Sequence, residues 1–527
     1  MITLVAHVSL MVAGVRITAA QVSDAGLTLP WHLLPVPLLR GQLVSSLLHL
    51  HSQPPAFNVA TGLLVHLGPL ARAQVANVFM VLCSCVITAS AYLLLRELGV
   101  IRRVSVAIVL ILVVFDPAQL LYGTRYFYTL PTAAIVSAMA WALAVWLRTR
   151  RPAPCAICLS LAALLVLTNS SYQVYLVILA LAPVLWVVRA QWRQVLRLGA
   201  IPLLCVLAWY ANDAIQFGSA ASSSWVGMNL ARTTLMLDSP ADLHELVGIG
   251  VLSPVALVRP FSCLSSYGSL GVSATTGVAA LDEPVKAPCR TTTTGYQYGH
   301  PNFNNIAYVG VSRRYLSDDL RWIEHRPLEY LRHTTIGMRL WAVPAEQQFT
   351  HRYASWRLGG YTNLYDHLVD LEPVLDPSAG PLAVHARIGP GIANLSLTIV
   401  LITLTDLVVL PVALIRRRRT SGSGTQAFGW WLWLMTTGIL VQSTLVEVGE
   451  NPRFRFELGI LPIVGVALAV LLVVRAGRIV GGAPESGAVP PPAAEAGPSD
   501  GPGRSLDDGR PLLEGTGSSR SSTPRGR

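Results

Sequence analysis

The sequence predicts an all-α polytopic membrane protein with about ten transmembrane helices and two large outer loops, and three observations predict it. Of 527 residues, 52% are hydrophobic and only 13% charged, with a mean hydropathy of +0.51. So few charges do not coat a soluble particle of this size. Apolar runs of roughly the length needed to cross a bilayer recur along the chain. The arginines fall in short clusters between those runs, so the excess of 39 Lys and Arg over 28 Asp and Glu reads as membrane sidedness and argues against a nucleic-acid partner. Lysine occurs once, at Lys286, amid abundant Ala, Arg, Gly, Pro and Val, the imprint of a GC-rich bacterial genome.

Taken in order, the expected spans lie near 1–20, 72–95, 104–121, 128–147, 155–170, 172–188, 198–215, 392–414, 428–446 and 454–474. The first lacks a basic start and a clear cleavage site, so it reads as an anchor. Basic clusters follow every second span: Arg96, Arg102 and Arg103; Arg148, Arg150 and Arg151; Arg189, Arg193 and Arg197; the run Arg416 to Arg419; and Arg475 with Arg478. Positive loops stay in the cytoplasm, which places both termini there and the protein in a bacterial plasma membrane. The chain then divides into an N-terminal transmembrane bundle, 1–215, with a first outer loop at 21–71; a large extracytoplasmic segment, 216–391; C-terminal transmembrane helices, 392–478; and a tail, 479–527. The tail composition, GGAPESGAVPPPAAEAGPSDGPG, has too little to bury and reads as disordered. No GxxxxGK[ST] loop is present, so ATP-driven transport has no support.

Five of the seven cysteines, Cys83, Cys85, Cys155, Cys158 and Cys205, lie in or beside apolar runs, where a thiol acts as a small hydrophobe. The Cys155-x-x-Cys158 spacing lacks the second ligand pair that a zinc site needs. Cys263 and Cys289 fall in the long polar segment and can close a loop if it faces an oxidising compartment.

The first outer loop holds LPWHLLPVPLLRGQLVSSLLHLH, with Trp31, Leu34, Leu38, Leu39, Leu43, Leu47 and Leu50 spaced to lay an apolar face on a membrane surface. Pro54-Pro55 then stops the helix. Asp24 is the loop's lone carboxylate and reads either as a solvated cap or as a functional acid. His49 and His51 are two apart, so on a helix they diverge, which argues against a zinc pair. In the second outer segment, Ser317 is expected to cap a helix ahead of Asp318 and Asp319, and Pro327 to start another.

HSQPPAFN after a lone acid, SSSWVGMNLAR after the seventh span and ENPRFRFELGILPIV before the last together resemble the GT-C fold glycosyltransferases that use polyprenyl phosphosugars, in particular the protein-mannosyltransferase-like and aminoarabinose-transferase-like proteins of glycosyltransferase family 39. The resemblance covers the layout of residues 1–475. It implies transfer of a sugar from a polyprenyl-phosphate donor to an acceptor hydroxyl of protein, lipid or polysaccharide at the outer membrane face, with a carboxylate of the first outer loop as base. On this sequence that role falls on Asp24, which lacks the paired acid common in the family. Asp116, in VVFDPAQLLYGTRYFY, is the second catalytic candidate, since an ionisable group near the membrane is costly; a helix cap before Pro117 is the alternative.

Such chemistry needs donors for the departing phosphate. Arg40, Arg125, Arg453 and Arg455 are the outward-facing arginines suited to it, although Glu450 and Glu457 can instead neutralise the last two. His51, Gln53 and Asn58 are expected to form a rigid shelf that hydrogen-bonds sugar or phosphate. No DxD pair occurs, so no metal is expected, and no other cofactor. The rival readings are a transporter or flippase of lipid-linked saccharides, which usually shows repeated halves, and a degenerate transferase scaffold.

Overall fold

The computed structural model describes residues 1–270, 275–291, 297–347, 355–371, 395–416 and 423–481. The expected tail lies outside the described residues from 482 onward, as do Arg417 to Arg419 of the arginine run. Met1–Gly477 is delimited as a compact unit, and the main apolar core lies within it.

The described chain is mostly helical, with one antiparallel strand pair, β1 (Val285–Thr291) and β2 (Gln297–Pro301). Among the described residues four helices are long and apolar enough to cross a membrane: Pro69–Glu97, Thr129–Thr149, Arg189–Phe217 and Leu397–Arg416. A fifth span is formed if Asn451–Glu457 and Leu461–Val474 are joined across their 65° bend. The remaining expected spans differ for local reasons. Ile2–Val12, Pro152–Val166 and Val174–Val187 are apolar but shorter. The run 104–121 is broken, into Arg102–Val109, a π-turn at Leu110–Val114 and a short helix Pro117–Tyr122 that Asp116 caps. Ser423–Val446 is long enough, but Trp, Thr and Gln are distributed along it.

Helix boundaries follow from local chemistry. Pro69 occupies the first turn of its helix, where a missing N–H costs nothing. Gly99 closes it with φ +88°, the left-handed conformation that lets Gly99 N reach Arg96 O at 3.0 Å and Val100 N reach Leu95 O at 3.0 Å. Thr129–Thr149 is the most buried of the spans, packed between Pro69–Glu97 and Pro152–Val166, and its Ala133, Val136, Ala140 and Leu143 are fully enclosed.

Segment 216–391 contributes a second apolar core, in which Trp225, Met228, Tyr308, Tyr315 and Trp322 are buried together. Its centre is the crossing of Val226–Thr233 on Ala307–His325. At that crossing a Cβ on Gly227 would fall 1.9 Å from Ser312 O, and Gly227 N donates to Ser312 Oγ at 3.1 Å, so the two backbones touch. Cys263 and Cys289 form a disulfide that ties this core to β1.

Two expectations for the outer segments change. Ser317 is no cap: the helix begins ten residues earlier, at Ala307. Asp318 and Asp319 sit mid-helix and diverge, the first accepting from Ser253 Oγ at 2.6 Å and the second from Thr234 Oγ1 at 2.6 Å. The LPWHLL stretch forms short helices, but much of the apolar face expected on a membrane surface turns into the protein. The helices Val36–Gly41 and Leu43–Leu48 are parted at Gln42, whose backbone leaves the helical region (φ −139°, ψ 36°), and Leu34, Leu38, Leu39 and Leu50 are buried inside the protein.

Candidate functional site

The stretch HSQPPAFN works as a tie between three parts of the chain. His51 N donates nothing to its own segment; its bond is to Asn304 Oδ1 at 2.8 Å. His51 Nε2 lies 2.9 Å from Asn304 O and Nδ1 lies 2.7 Å from Ser224 Oγ. A carbonyl only accepts, so Nε2 carries the proton and Nδ1 accepts from the serine. Burial holds the ring neutral, pulling its pKa down to about 4 against weaker opposing hydrogen bonds. Asn58 is likewise consumed inside the protein, accepting from Leu34 N at 2.9 Å and donating to His32 O at 2.9 Å. Of the expected shelf, Gln53 lines one of the two cavities beside the helix Asn451–Glu457 and His51 and Asn58 line neither; Gln53 Oε1 accepts from Ser170 Oγ at 3.1 Å.

Asp24 heads the short helix Asp24–Thr28 and is tied to Arg40 Nη2 at 2.8 Å and Arg72 Nη1 at 2.7 Å. Arg72 is buried, with backbone carbonyls of Val22, Val65 and Leu67 taking its other N–H groups. Hydrogen bonds from Arg72 and Arg40 hold the Asp24 carboxyl below the usual carboxylate range, which makes it a weak proton acceptor.

Two cavities flank the helix Asn451–Glu457. Neither is lined by Asp24 or Arg40, and Arg125, 5.6 Å from the Phe127 ring, is also outside both. The first, about 140 Å³, has one apolar wall that includes Ile87, Leu112 and Ile399 and one acidic wall of Asp116, Glu346, Asp370 and Asp406, with Arg455 beside them. Asp116 accepts from Ala118 N at 2.9 Å, so it is both a helix cap and a cavity residue. Arg455 Nη1 donates to Trp341 O at 2.6 Å. Carboxylate oxygens of Glu346, Asp366 and Asp370 lie within 4.8 Å of one another, and all three residues are buried. Burial pushes Asp370 up to about 6 and Glu346 well above the ordinary value, with neighbouring acids adding to the second shift.

The second cavity, about 190 Å³, combines aromatic and charged walls. Trp31 stacks on Phe261 at 5.4 Å between ring centroids, and Trp225 meets Phe261 edge-on at 5.3 Å. Phe261 holds φ +61°, a left-handed conformation that costs a bulky residue on the order of 1–3 kcal/mol. Opposite stand Arg232, Glu447, Glu450 and Arg453. Arg232 pairs with Glu447 and lies 3.9 Å from Glu450 Oε1. Arg453, 2% exposed, pairs with Glu450 and lies 3.7 Å from Glu457 Oε1. Three aromatic rings surround its guanidinium, Tyr128 at 5.4 Å and Phe454 at 5.0 Å among them, yet Nη1 makes no hydrogen bond among the described residues. Burial raises Glu447 to about 7, moderated by Arg232.

No protein-family model matches the chain, and no curated relative matches it. The chain is similar to a solved structure. It is the crystal structure of ArnT from Cupriavidus metallidurans bound to undecaprenyl phosphate, at 15% identity over 89% of this chain and 78% of that one, with a TM-score of 0.30. A likeness of that degree transfers no residue role.

Thus the structure brings Gln53 and Arg453 to one cavity and Asp116 and Arg455 to the other, and leaves Asp24, Arg40, His51, Asn58 and Arg125 outside both. Sequence reasoning missed Arg232, although it closes the SSSWVGMNLAR segment. It also missed the Asp366/Asp370 pair, whose i, i+4 spacing is a same-face signal that a search for adjacent acids passes over.

Proposed function

We propose that the protein is a membrane glycosyltransferase of the GT-C kind that moves a sugar from a polyprenyl-phosphate donor to an acceptor hydroxyl at the outer membrane face, and that the aromatic cavity is where transfer occurs. The observation that carries this reading is Arg453, a buried guanidinium on the cavity wall whose Nη1 has no hydrogen-bond partner among the described residues. A buried donor without a partner is costly, and a phosphate oxygen would satisfy it.

The other groups take roles by their chemistry. Arg453 and Arg232 hold the phosphate, a geometry guanidinium suits. The stacked rings of Trp31 and Phe261 offer an apolar face for a sugar ring. Glu447, raised to about 7, is a base matched to neutral pH, and in this proposal it takes the role that the family resemblance gave to Asp24. The acceptor oxygen attacks the anomeric carbon and the carbon–oxygen bond to phosphate breaks. Its electron pair leaves with the polyprenyl phosphate, and the hydroxyl proton passes to Glu447.

The test is transfer from radiolabelled polyprenyl phosphosugars by the purified full chain in detergent or membranes. A drop on the order of 100-fold or more is expected for Glu447→Gln at unchanged protein level. Unimpaired transfer by Glu447→Gln, or no transfer from any polyprenyl phosphosugar by the wild type, rejects the assignment.

A further inference from the structure

We propose that Glu346, Asp366 and Asp370 bind a hard divalent cation of the Ca²⁺ or Mn²⁺ kind in the acidic cavity. Three buried carboxylates, one from the turn after Pro327–Trp341 and two from the end of Ser355–Leu368 and the residues just past it, place their oxygens within 4.8 Å of one another. Oxygens on opposite sides of a Ca²⁺ ion bound at about 2.3–2.6 Å are roughly 4.6–5.2 Å apart, and adjacent ones closer. The observed spread therefore fits one shared ion.

Two further observations point to a ligand. Glu346 is 6% exposed and its Oε1 has no hydrogen-bond partner among the described residues. Asp406, 1% exposed, stands on the wall of the same cavity with neither carboxylate oxygen hydrogen-bonded to a described residue. Buried carboxylates of this kind need a hydrogen bond, a proton or a cation. The crowding of acids favours the cation. The charges of Asp366, Asp370 and Asp116 all bear on Glu346, and a divalent ion held between the carboxylates relieves that repulsion.

The donor set selects the metal. All three ligands are carboxylate oxygens, which suit Ca²⁺, Mn²⁺ or Mg²⁺, whereas zinc prefers nitrogen and sulfur. The ion would also fix the residues that face Arg455, and through Arg455 the helix Asn451–Glu457. The site is separate from the cavity proposed for transfer, so its test does not use transfer.

The full chain, purified in detergent and stripped with EDTA, is titrated with Mn²⁺ while free Mn²⁺ is followed by electron paramagnetic resonance and thermal unfolding by tryptophan fluorescence. One ion per chain and a rise in Tm are expected for the wild type. Glu346→Gln and Asp370→Asn are expected to weaken binding on the order of tenfold or more and to lose the Mn²⁺-dependent rise, while unfolding in EDTA at or above the wild-type temperature because each removes a repelling charge. Glu97→Gln, which alters a carboxylate paired with Arg148 elsewhere, should bind as the wild type. A wild type that takes up no Mn²⁺ at millimolar concentration means that protons neutralise the cluster, and overturns the proposal. Binding by Glu346→Gln and Asp370→Asn equal to the wild type overturns it as well.

Discussion

Arg453 and Arg455, two residues apart on the helix Asn451–Glu457, line different cavities: Arg453 stands among aromatic rings beside Glu450, and Arg455 stands beside Asp116 and Asp370. A helical step of two residues turns the side chain through about 200°, so one short helix supplies a guanidinium to each side. Replacing each arginine separates the two sites. Arg453→Lys keeps the charge and loses the fork, and should raise the donor KM about tenfold; Arg455→Lys should shift Mn²⁺ affinity more than donor KM. Initial-rate kinetics and Mn²⁺ titration on the two variants check this.

Asp24→Asn distinguishes a strut from a base. With Asp24 tied to Arg40 and Arg72, the variant should lose on the order of 1 kcal/mol of stability and retain transfer within a few-fold. A thermal melt beside a transfer assay reads both, and complete loss of transfer in well-folded protein returns the base role to Asp24.

Glu447 sets the expected pH profile. Its carboxyl is raised to about 7 by burial, and a base works only when deprotonated. The rate should therefore fall as pH drops through about 7 and level off above it. Glu447→Gln should leave a low, flat profile across the same range.

His51 makes the fold sensitive to acid. Folding lowers its pKa from 6.5 to about 4, so between those values the unfolded chain binds the proton that the folded chain refuses. Stability is complete above pH 6.5 and falls as pH drops toward 4, by about 3 kcal/mol at most for this one group. Denaturant midpoints measured from pH 7.5 to 4.5 test the slope, which should flatten in His51→Gln from a lower starting stability.

The disulfide between Cys263 and Cys289 closes a loop across 26 positions of sequence. Cys263→Ser should lower unfolding stability by about 2–4 kcal/mol, and reductant should do the same to the wild type without affecting Cys263→Ser.

Hydropathy carried the helical class and the long apolar spans, because a bilayer demands about 20 apolar residues whatever the partners are. It does not register where an apolar helix stops. Pro152–Val166 and Val174–Val187 are as apolar as spans but stop short. The site was legible only in pieces. ENPRFRFE pointed to Arg453 and Arg455, and HSQPPAFN to Gln53, since polar residues amid apolar neighbours stand out. The same contrast misled at His51 and Asn58, whose hydrogen-bonding groups are spent on Asn304, Ser224 and Leu34. Glu346 and Asp370 lie far from Arg455 in sequence, and no local pattern reports a meeting made by packing.

The touching backbones at Gly227 and Ser312 bear on how this pocket can diversify. Val226 and Asn229 line the aromatic cavity, and exchanges there are free to reshape it. Gly227 lines neither of the two cavities, yet even a methyl group there would drive its helix away from Ala307–His325 and carry Arg232 with it. Directed evolution toward another saccharide should therefore accumulate changes on either side of that glycine and none at it.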